Sequence, residues 1–62
     1  MKKTVVKLIG LDGNVFAIIG LVSLELTKDG KKREAEAFTE EAFRCKSYDE
    51  VLQLVMRTVD VK

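Results

Sequence analysis

The side chains that could carry out chemistry are carboxylates, amines and one thiol, because the sequence has no histidine and its only cysteine is Cys45. Nucleophilic catalysis usually pairs the nucleophile with a base such as histidine, and zinc sites usually need several histidines or cysteines. Most carboxylates of the second half fall on the solvent sides of predicted helices; they are Glu34, Glu36, Glu40, Glu41, Asp49 and Glu50. We therefore expect no enzyme activity, no catalytic residues, no metal and no other cofactor.

One short string stands out for its residue types: Asp12-Gly13-Asn14, followed by Phe16. Such residues are typical of turns and of helix N-caps, which is the simpler interpretation. The functional interpretation is a loop that binds a small ligand or a partner, with Asp12, Asn14 and Phe16 as candidate binding residues. The sequence contains neither G-x-x-x-x-G-K-[ST] nor G-x-G-x-x-G, so this loop is not a known phosphate-binding motif.

A second candidate group is basic and consists of Lys28, Lys31, Lys32 and Arg33. A cluster of this kind is typical either of a surface that contacts phosphates or of an ordinary solvated connection. Acidic residues follow at once, at positions 34 and 36, and no aromatic residue is interleaved to stack on bases. The cluster makes nucleic acid an alternative partner, but a less favoured one.

The size of the chain limits the stability that its core can supply. Residues 1–62 form one predicted domain, of which 47% are apolar and 34% charged, with a net charge of +1. A domain of about 60 residues buries only about 60% of its unfolded surface and is usually marginal without a further stabilising element. A single cysteine cannot form an internal disulfide, so self-association is the remaining source of extra stability.

The apolar segments are too short to span a membrane. The longest one, residues 15–24, has about half of the ~20 residues that a membrane helix needs and includes a glycine and a serine. The lysines at positions 2 and 3 resemble the start of a signal peptide, but charges at 7 and 12 interrupt the apolar stretch that should follow. We expect a cytoplasmic protein.

The apolar pattern predicts a strand over residues 4–9 and a helix over about 14–28. The helical stripe is Val15, Ile18, Ile19, Val22 and Leu26. Because Phe16, Leu21 and Leu24 make the segment apolar nearly all round, we expect this helix to be buried on more than one side. Four β-branched residues and Gly20 favour strand instead. Asp12-Gly13 and Asp29-Gly30 are each compatible with a hairpin turn, but Asp12 or Asn14 is equally compatible with a helix N-cap and Gly30 with the residue just past a helix end.

The second half of the sequence predicts two more helices and a strand. The Ala- and Glu-rich segment favours a helix over about 32–45. Ser47 and Glu50 have the spacing of a capping box, which predicts a helix over about 48–58. The β-branched tail predicts a strand over 59–61, paired with residues 4–9. The predicted fold is α+β: β-α-α-α-β, with a minimal two-stranded antiparallel ribbon against the helices.

Several strings taken together resemble a family of short uncharacterised bacterial proteins found in phage and mobile-element neighbourhoods. They are residues 6–10, the D-G-N-x-F-x-I-x-G string over 12–20, and Tyr48-Asp49 with Leu52 before a V-x-V tail. Val15 departs from the family's alanine, and Lys46-Ser47 from its Gly-Asp. The resemblance implies a helix after the D-G-N string and so favours helix over hairpin at both uncertain turns. It implies no activity.

These observations favour a non-catalytic interaction or accessory protein. Its protein partner is unknown, and a homodimer is expected, formed by edge pairing of the strands or by packing of the first helices. The alternative is a nucleic-acid-associated accessory factor of a mobile element. Its support is the basic cluster, the seven Lys/Arg against three Asp/Glu of residues 1–33, and the neighbourhood of the family.

Overall fold

Three helices and two short strands make up the part of the chain that the computed structural model describes, residues 3–7 and 14–62. Their order is β1 (Val5–Val6), α1 (Val15–Lys28), α2 (Lys32–Arg44), α3 (Tyr48–Thr58) and β2 (Asp60–Val61). The predicted α+β class, the element order and the choice of helix for α1 and α2 are confirmed. The predicted strand over 4–9 is observed at two residues, and its last two positions lie outside the described residues.

The two strands are parallel, so the predicted antiparallel pairing is wrong. Val5 lies opposite Asp60 and Val6 opposite Val61, and the Asp60 and Lys62 N–H groups donate to the Thr4 and Val6 carbonyls at 2.8 and 3.0 Å. Parallel strands need a long crossover connection, which is usually helical, and the three helices between β1 and β2 supply one.

The end of α1 is fixed by a glycine in the left-handed region. Gly30 has a φ of 76°, and its N–H donates to the Thr27 carbonyl at 3.0 Å. The Lys31 N–H donates to the Leu26 carbonyl at 2.9 Å. These two bonds form a Schellman motif, which satisfies carbonyls left open at the helix end and turns the chain into α2.

The core lies between one face of α1 and the elements β1, α2 and α3. The residues that each bury an apolar side chain there are Val6, Ile18, Ile19, Val22, Leu26, Ala35, Phe38, Ala42, Val51, Leu54, Val55 and Val59. The predicted stripe of α1 is therefore confirmed as the core face, with Val15 half-buried at its edge. The prediction that α1 is buried on more than one side is wrong, because Phe16 and Leu24 are exposed. Among the described elements, β1, α2 and α3 all pack on the core side of this helix.

A buried hydroxyl links β1 to the turn after α1. Thr4 is only 3% exposed, and its Oγ1 donates a 2.7 Å hydrogen bond to Asp29 Oδ2. The Lys31 ammonium lies 3.9 Å from the same carboxylate oxygen. A buried hydroxyl without a hydrogen-bond partner costs free energy. The Thr4–Asp29 bond avoids this cost only while the first strand lies next to the C-terminal end of α1, so it stabilises that arrangement.

We predict that removing the acceptor of this bond costs more than removing the donor. Asp29→Ala leaves the Thr4 hydroxyl buried without its acceptor, at a cost of about 1–3 kcal/mol, whereas Thr4→Val replaces the hydroxyl by an apolar group of similar shape at a smaller cost. Urea denaturation measures both. The double variant should be more stable than Asp29→Ala alone, and strictly additive losses would contradict this interpretation.

Gly20, inside α1, and Gly30, in the turn after α1, should change the stability in opposite directions when each is replaced by alanine. Gly30→Ala places a Cβ in the left-handed region and should lower the free energy of unfolding by about 1–2 kcal/mol. Gly20→Ala is the matched control: it lies inside α1, a Cβ there meets nothing within 4 Å, and alanine should stabilise the helix by about 0.5–1 kcal/mol. Denaturation at low protein concentration measures both changes. Equal changes in the free energy of unfolding for the two substitutions would show that the turn does not depend on the left-handed conformation of Gly30.

Candidate functional site

Over residues 15–24, the solvent-facing side of α1 is apolar and uncharged. Its exposed residues between positions 15 and 24 are Phe16, Ala17, Gly20 and Leu24, and that segment contains no charged side chain. A surface helix normally carries charged and polar residues on the side away from the core, as α2 does with its exposed lysine, arginine and glutamates. The outer side of α1 therefore lacks the composition of a solvated helix face.

Helical spacing brings these residues into one stripe. Phe16, Gly20 and Leu24 are four residues apart, so their positions follow one another along the same side of the helix. The core residues of α1, by contrast, occupy the opposite side. Phe16 and Leu24 are 67% and 52% exposed, and the backbone is open at Gly20 between them.

The N-terminus of α1 is held by Asn14, whose side-chain Oδ1 accepts a hydrogen bond from the Phe16 N–H at 2.9 Å. This is the N-cap arrangement predicted as the simpler interpretation of the Asp12-Gly13-Asn14 string. Asn14 thereby fixes the first turn that carries the Phe16 ring. Asp12, the remaining candidate of that group, lies outside the described residues.

An aromatic pair extends the stripe onto α2. The ring centroids of Phe16 and Phe43 are 6.1 Å apart, with the ring planes tilted by 38°, a favourable spacing for an aromatic pair. Phe43 is itself 60% exposed. We define the Phe16–Phe43 surface as Phe16, Gly20, Ser23, Leu24, Thr27, Thr39 and Phe43, which together line a shallow groove of about 530 Å³ between the outer sides of α1 and α2.

On its other side, the aromatic pair borders a second concave region, a cleft of about 370 Å³ at the start of α3. Its lining includes Val15, Cys45, Tyr48 and Val51. The Cys45 Sγ donates to the Glu41 carbonyl at 3.5 Å, and its side chain packs against the core. The cleft therefore continues the apolar character of the Phe16–Phe43 surface rather than adding a group of reactive side chains.

The start of α3 is organised by the predicted capping box. The Glu50 N–H donates to Ser47 Oγ at 3.2 Å, so Ser47 is the N-cap. The Glu50 carboxylate reaches back to the Lys46 N–H at 3.3 Å, one residue before the donor that a standard capping box uses. This closure fixes the end of the cleft where Tyr48 lies.

The four basic candidates lie at the turn between α1 and α2, away from the aromatic pair. Lys28 Nζ is 3.4 Å from Glu25 Oε1, and Lys31 Nζ is 3.9 Å from Asp29 Oδ2. Lys32 and Arg33 are exposed in the first turn of α2. The rise along α1 separates Phe16 from Lys28 by about 18 Å, so the structure does not bring the two candidate groups into one site.

The described residues offer no grouping suited to metal binding. Within residues 3–7 and 14–62, there is no cluster of three or more Cys, Asp or Glu side chains with the geometry of a metal site. No buried side-chain nitrogen or oxygen in this part of the chain lacks a hydrogen-bond partner. What the arrangement supports chemically is burial of apolar and aromatic surface.

Sequence reasoning identified Phe16 as a candidate but missed Phe43, Leu24 and Gly20. The available signal was that Phe16 and Leu24 lie off the core stripe, yet we attributed them to a second buried side. Phe43 also lies off the Ala35, Phe38 and Ala42 stripe of α2. Its position next to Phe16 depends on the α1–α2 packing, which the sequence pattern does not give.

Within the described residues, no helix combines the length and the apolar content that crossing a membrane requires. Comparisons with protein-family models, with curated proteins and with solved structures found no match. The resemblance to phage-associated bacterial proteins therefore stays a prediction.

Proposed function

We propose that this chain is a non-catalytic interaction domain and that the Phe16–Phe43 surface is its binding surface. The observation that carries the proposal is the uncharged, apolar outer side of α1, continued by an exposed aromatic ring of α2. The centres of protein interfaces are depleted in charged residues and enriched in aromatic ones. The composition of this surface agrees with such a centre.

The energetic argument concerns the two exposed rings. Removal of apolar surface from water contributes about 25 cal/mol per Å², and a large share of binding energy usually comes from a few aromatic side chains in well-packed positions. Phe16 and Phe43 are exposed, and their rings lie next to each other. A partner that covers both rings removes their apolar surface from water at one place.

The composition of the chain supports a non-catalytic role. The absence of histidine and the single cysteine remove the usual nucleophile–base pairs. The exposed carboxylates of α2 and of the first turn of α3 lie in contact with water, an environment that does not tune an acid or base for catalysis. We propose on these grounds that the protein binds rather than converts its partner.

Capture of interacting proteins on the immobilised chain tests the proposal. The Phe16→Glu/Phe43→Lys double variant makes the surface polar, and Met56→Lys is the matched control because Met56 is an equally exposed apolar residue, at 59%, on α3. Proteins from an extract of the source cells, or untagged copies of the chain itself, should be retained by the wild type and by the control and lost from the double variant. Retention of the same proteins by all three, or of none by the wild type, would contradict the proposal. Circular dichroism checks that each variant is folded.

A second candidate function is association with nucleic acid, supported by the exposed Lys32 and Arg33 next to Lys28 and Lys31 at the α1–α2 turn. Binding through phosphates weakens steeply as salt concentration rises. If this function is correct, fluorescence anisotropy with labelled DNA and RNA should show salt-dependent binding that Lys32→Ala/Arg33→Ala reduces and Phe16→Glu leaves unchanged. Absence of binding at low salt would rule it out.

A further inference from the structure

We infer that the Phe16–Phe43 surface is occupied by the same surface of a second copy, with the two α1 helices packed antiparallel about a two-fold axis at Gly20. The inference rests on the proposed function, because it names the partner of the surface assigned there. Its support comes from the spacing of the stripe, the opening at Gly20, the available area and the charge of the surface.

The stripe matches itself under two-fold symmetry. In a two-fold interface, when one residue contacts a second across the interface, the second contacts the first in return. Phe16 and Leu24 lie four residues before and four residues after Gly20. Antiparallel packing centred on Gly20 therefore places Phe16 against the partner's Leu24, and Leu24 against the partner's Phe16, while small residues face each other at the axis.

Among the described residues of a single copy, nothing requires a glycine at position 20. A glycine inside a helix costs about 0.5–1 kcal/mol relative to alanine. Nothing lies within 4 Å of a Cβ placed there, and its backbone is not among those with positive φ. The distance between packed helices depends on the side chains at their contact. A glycine at that contact allows the two α1 backbones to approach closely.

The exposed area agrees with a small, reversible interface. A phenylalanine covers about 150–250 Å², so exposed fractions of 67% and 60% leave roughly 200–300 Å² on the two rings. Leu24 and the groove residues extend this patch. Weak specific interfaces bury less than about 1,200 Å² in total, or about 600 Å² per copy, which is roughly one eighth of the 4564 Å² accessible surface of the chain. We therefore expect a dimer that dissociates on dilution.

The charge of the molecule does not oppose this packing. Residues 15–24 carry no charge, so the close contact between the two α1 helices brings no like charges together. The net charge of +1 per copy produces little long-range repulsion. Lys28 follows Leu24 at the C-terminal end of the stripe, and Glu36 and Glu40 of α2 border the groove residues Ser23, Thr27 and Thr39. These charges therefore lie at the edge of the inferred interface, away from its axis at Gly20.

Sedimentation equilibrium from low micromolar to millimolar concentration tests the inference. The wild type should rise from 7.0 kDa toward twice that mass. Phe16→Glu and Leu24→Lys should each remain monomeric, and both suit the helix, with an acid in its first turn and a base near its end. Met56→Lys, the matched control on α3, should associate like the wild type. Gly20→Ala should raise the dissociation constant at least about tenfold although it favours the helix itself.

Mixing the two charged variants tests the antiparallel geometry. In a mixed dimer, the glutamate at position 16 of one copy faces the lysine at position 24 of the other copy. At the other end of the interface, the original contact between Phe16 and Leu24 is kept. The equimolar mixture should therefore form a dimer that neither variant forms alone, and the mixed dimer should weaken with salt. Failure of the mixture to associate, when both variants are folded, would overturn the antiparallel arrangement.

Two further outcomes would overturn the inferred dimer. Each can be distinguished from a failure of the proposed function. If the wild type stays at 7.0 kDa at every concentration, the partner is not a second copy, and loss of other captured proteins from the Phe16→Glu/Phe43→Lys variant would still support the binding surface. If the wild type dimerises but Val5→Lys, on the exposed side of β1, dissociates it while Phe16→Glu does not, the strands form the interface instead.

Discussion

The structure depends on the burial of one face of α1, against which the other described elements pack. Ile18, Ile19, Val22 and Leu26 pack against β1, α2 and α3 together, so α1 is the helix around which the first strand and both later helices assemble. The outer side of this helix remains apolar and exposed over residues 15–24, and it forms most of the candidate binding surface.

The turn between α1 and α2 determines how the Phe16–Phe43 surface is assembled. Gly30 closes the Schellman motif, and Asp29 accepts the hydrogen bond from buried Thr4. The same few residues thus end α1, direct α2 back along it and hold the first strand. The direction of α2 decides which of its side chains border α1, and it is this direction that brings Phe43 to Phe16 across 27 positions of sequence.

Much of the local structure could be predicted from the sequence, because it depends on neighbouring residues. The stripe of α1, the Ser47 N-cap and the glycine after α1 each follow from short-range geometry. The strand direction could not be predicted from two β-branched segments alone, since a connection of three helices is compatible with either direction. The exposure of Phe16 and Leu24 was misjudged for a related reason: residue types show that a face is apolar, but only the packing of the whole chain shows whether anything covers it. Phe16 was therefore found as a candidate residue, whereas its neighbour Phe43 was not.

The parallel strand pair has a consequence for the stage of synthesis at which its hydrogen bonds can form. The α1–α2 hairpin joins residues close in sequence, and such local contacts form with a small loss of loop entropy. The hydrogen bonds of Asp60 and Lys62 to the first strand instead join opposite ends of the described chain. During synthesis on the ribosome they cannot exist until residue 62 has left the exit tunnel. Until then Val6 lacks the strand that pairs with it.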